Sequence, residues 1–292
     1  MKYKIYFLLL SLLVFSCEVK KSFDKDLITG LATKGDGISS DKVFLSVDDK
    51  KIERNTFIYG EVVYLNFSNV EGLTKEDNNT FPGMEFYITD KQGKKLLYSK
   101  DLYSAYTEGI NFSPLVLKAN FTVAKPIHSN NEYTLFARIW DKNGKGTFTV
   151  EMDFKVKPNE KLKISTNGMS YSEVYLYSEK KDKVITDNKI NFGDKIYAFF
   201  EGLSGMRDYD GKVFPGLSLV VTDNTGDVII DYEDLFSEYS EDGIEVSSFN
   251  SQVSANFWFT GPKAKNPLQC EIKIWDKKGE ANINLTTQLI LE

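Results

Sequence analysis

The chain has 292 residues, one histidine, two cysteines and a net charge of −6, from 36 basic and 42 acidic side chains. This acidic balance, without a basic cluster, provides no phosphate-neutralising patch and excludes a nucleic-acid partner. The sequence also has no nucleophile elbow, phosphate loop, H-E-x-x-H or paired-cysteine motif, so we expect a protein that is not an enzyme and needs no cofactor.

The N-terminus has the pattern of an export signal. Lys2 and Lys4 precede an apolar run at 5–15. This run is too short for a membrane-spanning helix, which needs about 20 residues, but it fits the apolar region of a signal peptide. It ends in Val14-Phe15-Ser16-Cys17, with Phe15 where a small or β-branched residue is usual. This ending resembles the lipobox of bacterial lipoproteins, whose cysteine receives a diacylglycerol before cleavage.

The resemblance implies a signal peptide at 1–16, a lipid on Cys17 and a lipidated tether at 17–27. The alternative is an ordinary secretory signal with a chance cysteine. Loss of Lys2 and Lys4 with the signal would change the net charge from −6 to −8. We therefore expect a cell-envelope protein anchored to a membrane by lipid. The outer membrane is favoured, and the leaflet is left open.

The exported part contains an internal repeat. FPGMEFYITDKQG at 81–93 aligns with FPGLSLVVTDNTG at 214–226 at an offset of 133, with six of thirteen residues identical. Two further segments, DLYSAY from Asp101 and IWDKNG from Ile139, recur in the same order as DLFSEY from Asp234 and IWDKKG from Ile274. The repeat predicts two copies of one domain, at 28–158 and 160–292, each long enough to bury its own core.

Period-two alternation of apolar and polar residues predicts strands throughout both copies. Val63, Leu65 and Phe67 face one way in the first copy, and Ile196, Ala198 and Phe200 are the matching residues in the second. Asp-x-x-Gly occurs four times, beginning at Asp90, Asp141, Asp223 and Asp276, and predicts turns with glycine at positive φ. The two Phe-Pro-Gly segments, at 81–83 and 214–216, predict type II turns.

The strand and turn pattern resembles the broad immunoglobulin-like and fibronectin-III-like superfamily. The features that carry the resemblance are Gly60-Glu61-x-Val63-x-Leu65, the hairpins at Asp90 and Asp223, and the strand and turn from Tyr133 to Gly144. It implies an all-β protein of two tandem seven-stranded antiparallel immunoglobulin-like β-sandwiches after the lipoprotein signal peptide. Tyr133 lies where a tyrosine corner is expected, and no catalytic residue comes with the resemblance.

Candidate chemical sites are few. Asp208 and Asp210, followed by a glycine, resemble part of a calcium loop but lack its downstream glutamate, so a solvated loop is favoured over a metal site. The single histidine, His128, is predicted in a loop, and the second copy has no counterpart. Cys270 alternates with apolar residues and is expected to be a buried thiol. Acidic residues are plentiful, so a carboxylate-based hydrolase is kept as a second alternative function.

Three tryptophans are the candidate binding residues. Alternation places Trp258 on the outer, polar face of its strand, and the matching residue of the first copy is Thr122. Trp140 and Trp275 also point outward, but because both copies have them, packing within their own domain is the favoured interpretation. The main hypothesis is a non-catalytic envelope protein that binds a protein partner or has a structural role. The first alternative is a surface lipoprotein that binds a glycan through exposed aromatic side chains.

Overall fold

The computed structural model describes residues 21–261 and 264–292, so the predicted signal peptide and Cys17 lie outside the described residues. In the first half of the molecule, residues 21–157, the strands are β1 Lys21–Lys25, β2 Ala32–Asp36, β3 Ser39–Val47, β4 Lys50–Ile52, β5 Thr56–Ile58, β6 Val62–Glu71, β7 Lys75–Glu76, β8 Asn79–Thr80, β9 Pro82–Asp90, β10 Lys95–Ser99, β11 Leu117–Thr122, β12 Glu132–Asp141 and β13 Thr147–Lys157.

The second half, residues 163–292, repeats this order with one short helix added. Its strands are β14 Lys163–Asn167, β15 Glu173–Ser178, β16 Lys183–Ile185, β17 Lys189–Ile190, β18 Ile196–Glu201, β19 Lys212–Val213, β20 Pro215–Thr222, β21 Val228–Tyr232, β22 Ile244–Glu245, β23 Gln252–Phe257, β24 Leu268–Asp276 and β25 Asn282–Leu291. A 3₁₀ turn spans Ser237–Tyr239, and the helix α1 spans Val246–Ser251. The prediction of an all-β chain is confirmed.

Each half packs a larger sheet against a four-stranded one. In the first half the order β1-β2-β13-β12-β9-β10, with β5 beside β13, faces β11-β6-β3-β4. In the second half β14-β25-β24-β20-β21, with β17 beside β25, faces β16-β15-β18-β23. Among the described residues, no strand of one half pairs with a strand of the other.

Two details differ from the predicted pattern. Within its predicted bounds each half has eight strands of five or more residues and several shorter ones, where seven strands were predicted. The pairing is also not purely antiparallel, because β5 runs parallel to β13 and β17 runs parallel to β25. In both halves this short strand pairs with the last long strand of the larger sheet. Backbone groups of the long strand that would otherwise lack hydrogen bonds thereby find partners.

The apolar faces predicted from the alternation are buried. Val63, Leu65 and Phe67 are completely buried, and so are the matching residues Ile196, Ala198 and Phe200. The buried side chains form two separate clusters, one drawn from residues 31–156 and the other from 162–291. Tyr133 donates its hydroxyl to the carbonyl of His128 (3.1 Å) and accepts the backbone N–H of the same residue (2.7 Å), which is the tyrosine-corner geometry.

The turn predictions are correct in part. Gly93 and Gly226 have positive φ, of 79° and 87°. Gly144 and Gly279 do not have a positive φ. A Cβ on Gly144 would instead collide with the carboxylate of Asp141, and a Cβ on Gly279 with that of Asp276. The carboxylate occupies that space because it also accepts a backbone N–H from a distant segment, that of Thr74 (2.7 Å) or that of Arg207 (3.1 Å).

The predicted type II turns at the two Phe-Pro-Gly segments are wrong. Pro82 and Pro215 begin strands β9 and β20, so the glycine that follows each of them lies inside a strand. The predicted tether at 17–27 contains β1, which pairs in register with β2 from Lys21↔Asp36 to Lys25↔Ala32. These tether residues therefore belong to the edge of the larger sheet.

Candidate functional site

Trp140 and Trp275 each cover a glycine on the neighbouring strand. Trp140 is paired across the sheet with Gly83, and Trp275 with Gly216. A Cβ on either glycine would collide with the indole ring, so the ring lies directly over the glycine backbone. Both tryptophans are half-buried in this position. Their place on the outer face is as predicted, and the glycine of each Phe-Pro-Gly segment provides the flat surface for the ring.

An Asp–Lys pair fixes the loop next to each of these tryptophans. Asp101 contacts Lys142 at 2.9 Å, and in the second half Asp234 contacts Lys277 at 2.7 Å. The other oxygen of each carboxylate accepts two backbone N–H groups, from Met84 and Tyr103 in the first half and from Leu217 and Phe236 in the second. The three repeated sequence segments therefore converge at one structural site in each half.

The electrostatics of the two Asp–Lys pairs are alike. Burial acts to raise the pKa of the Asp101 carboxyl, but the hydrogen bonds from Lys142 and from the two backbone N–H groups outweigh it, so the pKa lies below the ordinary value. The pKa of Asp234 is lowered by the same balance. Both carboxylates are ionised at neutral pH and hold structure rather than a ligand.

The acidic loop of the second half has a local structural role. One Asp208 oxygen accepts the backbone N–H of Gly211 at 2.6 Å, and Asp210 has a positive φ of 54°. Asp208 therefore closes a tight turn with its carboxylate. In the described residues, no group of three or more histidine, cysteine or acidic side chains is arranged to hold a metal ion.

Trp258 is the most exposed of the three tryptophans. It directly follows β23, an edge strand of the four-stranded sheet, and 49% of its surface is accessible. The Nζ of Lys195 lies 6.0 Å from the indole centroid and 5.2 Å from the ring centroid of Tyr197. Trp258 thus lies beside a lysine that also contacts the next aromatic side chain of the sheet.

The outer face of this sheet carries further aromatic side chains. The rings of Tyr197 and Phe199 are parallel to within 6° with centroids 5.6 Å apart, and Tyr177 lies 6.1 Å from Phe199. All three are half-buried. We call Tyr177, Tyr197, Phe199 and Trp258 the second-half aromatic face. It presents ring surface, because the hydroxyls of Tyr177 and Tyr197 already donate to Asp182 and Glu179.

The first half has no such surface at the matching positions. Its four-stranded sheet has the same register, and these places are occupied by Ser46, Tyr64, Asn66 and Thr122. Asn66 donates to the hydroxyl of Ser46 at 3.0 Å, where the second half places Phe199 beside Tyr177. The first half keeps an aromatic ring only at Tyr64, the match of Tyr197, so the sandwich does not require aromatic residues at the positions of Tyr177, Phe199 and Trp258.

The first half covers one end of the second-half aromatic face. Tyr59 packs on Tyr175 with ring centroids 5.3 Å apart, and Tyr175 in turn contacts Phe199 at 5.3 Å. Gly60 lies against Val184 so closely that a Cβ would collide with it. The first half therefore contacts the second-half aromatic face at the Tyr175 end, and Trp258 stays exposed.

A buried carboxylate completes this junction. Glu173, 2% exposed, accepts the backbone N–H of Ser129 (2.6 Å) and its hydroxyl (2.8 Å). His128 Nδ1 lies 3.6 Å from the same carboxylate. Burial raises the pKa of Glu173, although the hydrogen bonds from Ser129 and the charge of His128 oppose the shift. The predicted loop histidine is thus part of a contact between the halves.

Cys270 is completely buried, as predicted, and burial raises the pKa of its thiol to about 12. A thiol with so high a pKa is protonated at neutral pH and is a poor nucleophile.

Trp258 could be found from the sequence, but the side chains that extend its surface were not predicted. The signal was available, because alternation places Tyr175, Tyr177, Tyr197 and Phe199 on the non-core face of their strands. The contact of the first half with Tyr175 could not be found this way, since it depends on packing between distant segments.

No family model and no curated protein matches the chain. Among solved structures, it is similar to the fibronectin(III)-like modules of CbhA from Clostridium thermocellum, with 11% identity over 85% of this chain and 94% of that one and a TM-score of 0.20. It is also similar to a DUF3823 family protein from Bacteroides ovatus, with 11% identity over 76% and 93% of the two chains and a TM-score of 0.21. No helix in the described part of the chain is long and apolar enough to cross a bilayer.

Proposed function

We propose that this protein is a non-catalytic lipoprotein of the bacterial envelope, most simply of the outer membrane, that binds a protein partner through the second-half aromatic face. It is held by lipid on Cys17 and consists of two tandem immunoglobulin-like domains, 28–158 and 160–292. Each domain is an immunoglobulin-like sandwich enlarged beyond seven strands, with eight strands of five or more residues and several shorter ones.

The observation that carries the binding proposal is the second-half aromatic face itself. Trp258 is half exposed beside Lys195, and the neighbouring tyrosine hydroxyls are occupied within the chain. Tryptophan and tyrosine are the residues most enriched among the energetically dominant contacts of protein interfaces. Ring surface with few free hydrogen-bonding groups fits a protein partner better than a glycan at this face.

Support for the anchor is the apolar run that ends at Cys17. Metabolic labelling with palmitate, using the chain expressed from its own leader, tests it. We expect Cys17→Ala to lose the label, whereas Cys270→Ala, a change at a fully buried thiol, keeps it. Normal labelling of the Cys17 variant would exclude lipidation at this residue.

Affinity capture from detergent-solubilised envelope tests the binding surface. A protein recovered with the wild-type chain is purified, and its affinity is then measured against Trp258→Ala and against Thr122→Ala, the matching position of the first half. We expect the tryptophan variant to lose about 2 kcal/mol of binding free energy and the threonine variant almost none. Equal affinities would remove the second-half aromatic face from the proposed function.

A further inference from the structure

A cleft of about 320 Å³ lies on the outer face of the larger sheet in the first half. Its lining includes Phe23 from β1, Ala32 and Lys34 from β2, Thr149 and Glu151 from β13, and Phe136 from β12. Phe23 is 73% exposed, although it is an apolar residue within a paired strand. We call this the first-half cleft. Its volume is at the lower end of the range of small-ligand sites.

The strand register defines the shape of the first-half cleft. Phe136 is paired with Glu151, Glu151 with Ala32, and Ala32 with Lys25. Phe23 lies one outward-facing position further along β1. Three strand spacings across the sheet, about 14 Å, and two residues along β1, about 7 Å, separate the two aromatic residues, so they are about 16 Å apart. Ala32, the smallest outward side chain between them, provides the low floor.

The Phe136 side of the cleft is rigidly supported. Tyr87 stacks on Phe136 with centroids 4.7 Å apart and ring planes 23° apart. The Nζ of Lys95 lies 3.9 Å from the ring centroid of Tyr87 and 4.4 Å from that of Tyr98. Phe136, Tyr87 and Tyr98 thus form a row across the adjacent strands β12, β9 and β10. One side of the Phe136 ring is therefore packed, and its other side borders the cleft.

The matching sheet of the second half has different residues at the positions that form the cleft. At the positions of Phe136 and Tyr87 it has Glu271 and Val220, and at the position of Ala32 it has Lys163. The place of Tyr98 is taken by Asp231, and among the described residues β14 is the outermost strand, with no counterpart of β1. The fold is thus complete without the aromatic row or the small residue at the floor.

We propose that the first-half cleft binds a neutral oligosaccharide. The charged side chains that line it are Lys25, Lys34, Glu151 and Asp153, which leaves no net charge to favour an ionic ligand. Sugar rings combine flat faces of C–H bonds, which pack on aromatic rings, with hydroxyls that bond to carboxylates, ammonium groups and threonine hydroxyls. A shallow cleft with aromatic ends and polar sides presents both kinds of partner.

This site is separate from the second-half aromatic face and requires no lipid on Cys17. A test of sugar binding at the first-half cleft therefore does not depend on the proposed protein partner or on the anchor.

The test is calorimetric titration of the purified chain, expressed from its own leader, with hexasaccharides of α- and β-linked glucose, xylose, mannose and N-acetylglucosamine. We expect at least one of them to bind at a single site. Phe23→Ala and Ala32→Lys should each weaken its binding by about tenfold or more. Ala32→Lys introduces the residue found in the second half at an outward-facing position, so it fills the floor without opening a core cavity.

Phe112→Ala is the matched control, because this phenylalanine is equally exposed, at 75%, and lies outside the cleft lining. It should leave the affinity unchanged. The proposal is overturned if none of the hexasaccharides binds at millimolar concentration. It is equally overturned if the affinity for a sugar that does bind is the same in Phe23→Ala and Ala32→Lys as in the wild type.

Discussion

The two halves agree in how their loops are held and differ in what their outer surfaces present. Both place a tryptophan over a strand glycine and an aspartate–lysine pair under the following loop. Their aromatic surfaces, by contrast, lie on different sheets: Tyr87, Tyr98 and Phe136 on the larger sheet of the first half, and Tyr197 and Phe199 on the four-stranded sheet of the second. Repetition therefore identifies the residues that maintain the fold, and lack of repetition identifies candidate binding surfaces.

The largest expected effect compares the two cores. Phe67 and Phe200 occupy matching positions and are fully buried. Replacement of either by alanine should lower the free energy of unfolding by about 3–5 kcal/mol, because each leaves a cavity. Calorimetry should show that each variant lowers mainly the transition of its own half. A single transition shifted equally by both variants would show that the halves do not unfold separately.

The next effect concerns the Asp–Lys pairs. Asp101→Asn and Asp234→Asn should each cost about 2 kcal/mol at neutral pH, since each removes a charged acceptor of several hydrogen bonds. The pKa values of both carboxyls are lowered in the folded protein, so this stabilisation is present above the ordinary value of 3.8 and is lost as pH falls below it. Denaturation of wild type and variants across this range measures the difference.

Asp231→Asn, at an exposed position of β21, is the control for these variants and should behave as wild type. Unequal losses of unfolding free energy in Asp101→Asn and Asp234→Asn would mean that the two Asp–Lys pairs are not equivalent.

A smaller effect, about 1 kcal/mol or less, is expected at the junction. Because burial raises the pKa of Glu173, its contribution to stability is full below the ordinary value of 4.5 and is lost as pH rises through the raised value. Glu173→Gln keeps the shape and removes the titration. Chemical denaturation should therefore show the variant gaining stability relative to wild type as pH rises from about 4 to about 7. A difference independent of pH would contradict this role.

The smallest effect on stability is expected at Trp258. Its replacement by alanine should change the free energy of unfolding by no more than about 0.5 kcal/mol, as is usual for surface positions. Trp275→Ala should cost more, about 1–2 kcal/mol, because it uncovers Gly216 within the sheet. Thermal denaturation of the two variants distinguishes an outward binding residue from a packing residue. Equal losses would show that Trp258 is also structural.

Much of the fold could be predicted from the sequence because alternation and turn residues act locally. The buried faces of β6 and β18 and the tyrosine corner at Tyr133 all follow from neighbouring residues. The errors at Gly83 and Gly216 have one cause. Each glycine serves a tryptophan more than fifty residues away in the sequence, a constraint that turn propensity does not contain.

The candidate sites were less predictable for the same reason. Trp258 could be predicted as a candidate binding residue because the alternation within its own strand indicates that its side chain points outward. The first-half cleft needs the register of β1, β2, β13 and β12 together, and Phe23 lies in a segment predicted as a tether. Its pairing into the sheet places the aromatic ring at the opposite end of the cleft from Phe136, which no local pattern indicates.

The pairing of β1 also determines how the molecule would stand on a membrane. With lipid on Cys17, only four residue steps separate the bilayer from Lys21, a reach of about 14 Å. Lys21 lies level with Thr147, the start of β13, and the eleven residues of β13 lead away from that end toward the second half. The first half would then separate the second half from the bilayer by roughly 36 Å, the length of β13. The second half, which follows β13 in the chain, would lie on the side of the first half that faces away from the bilayer.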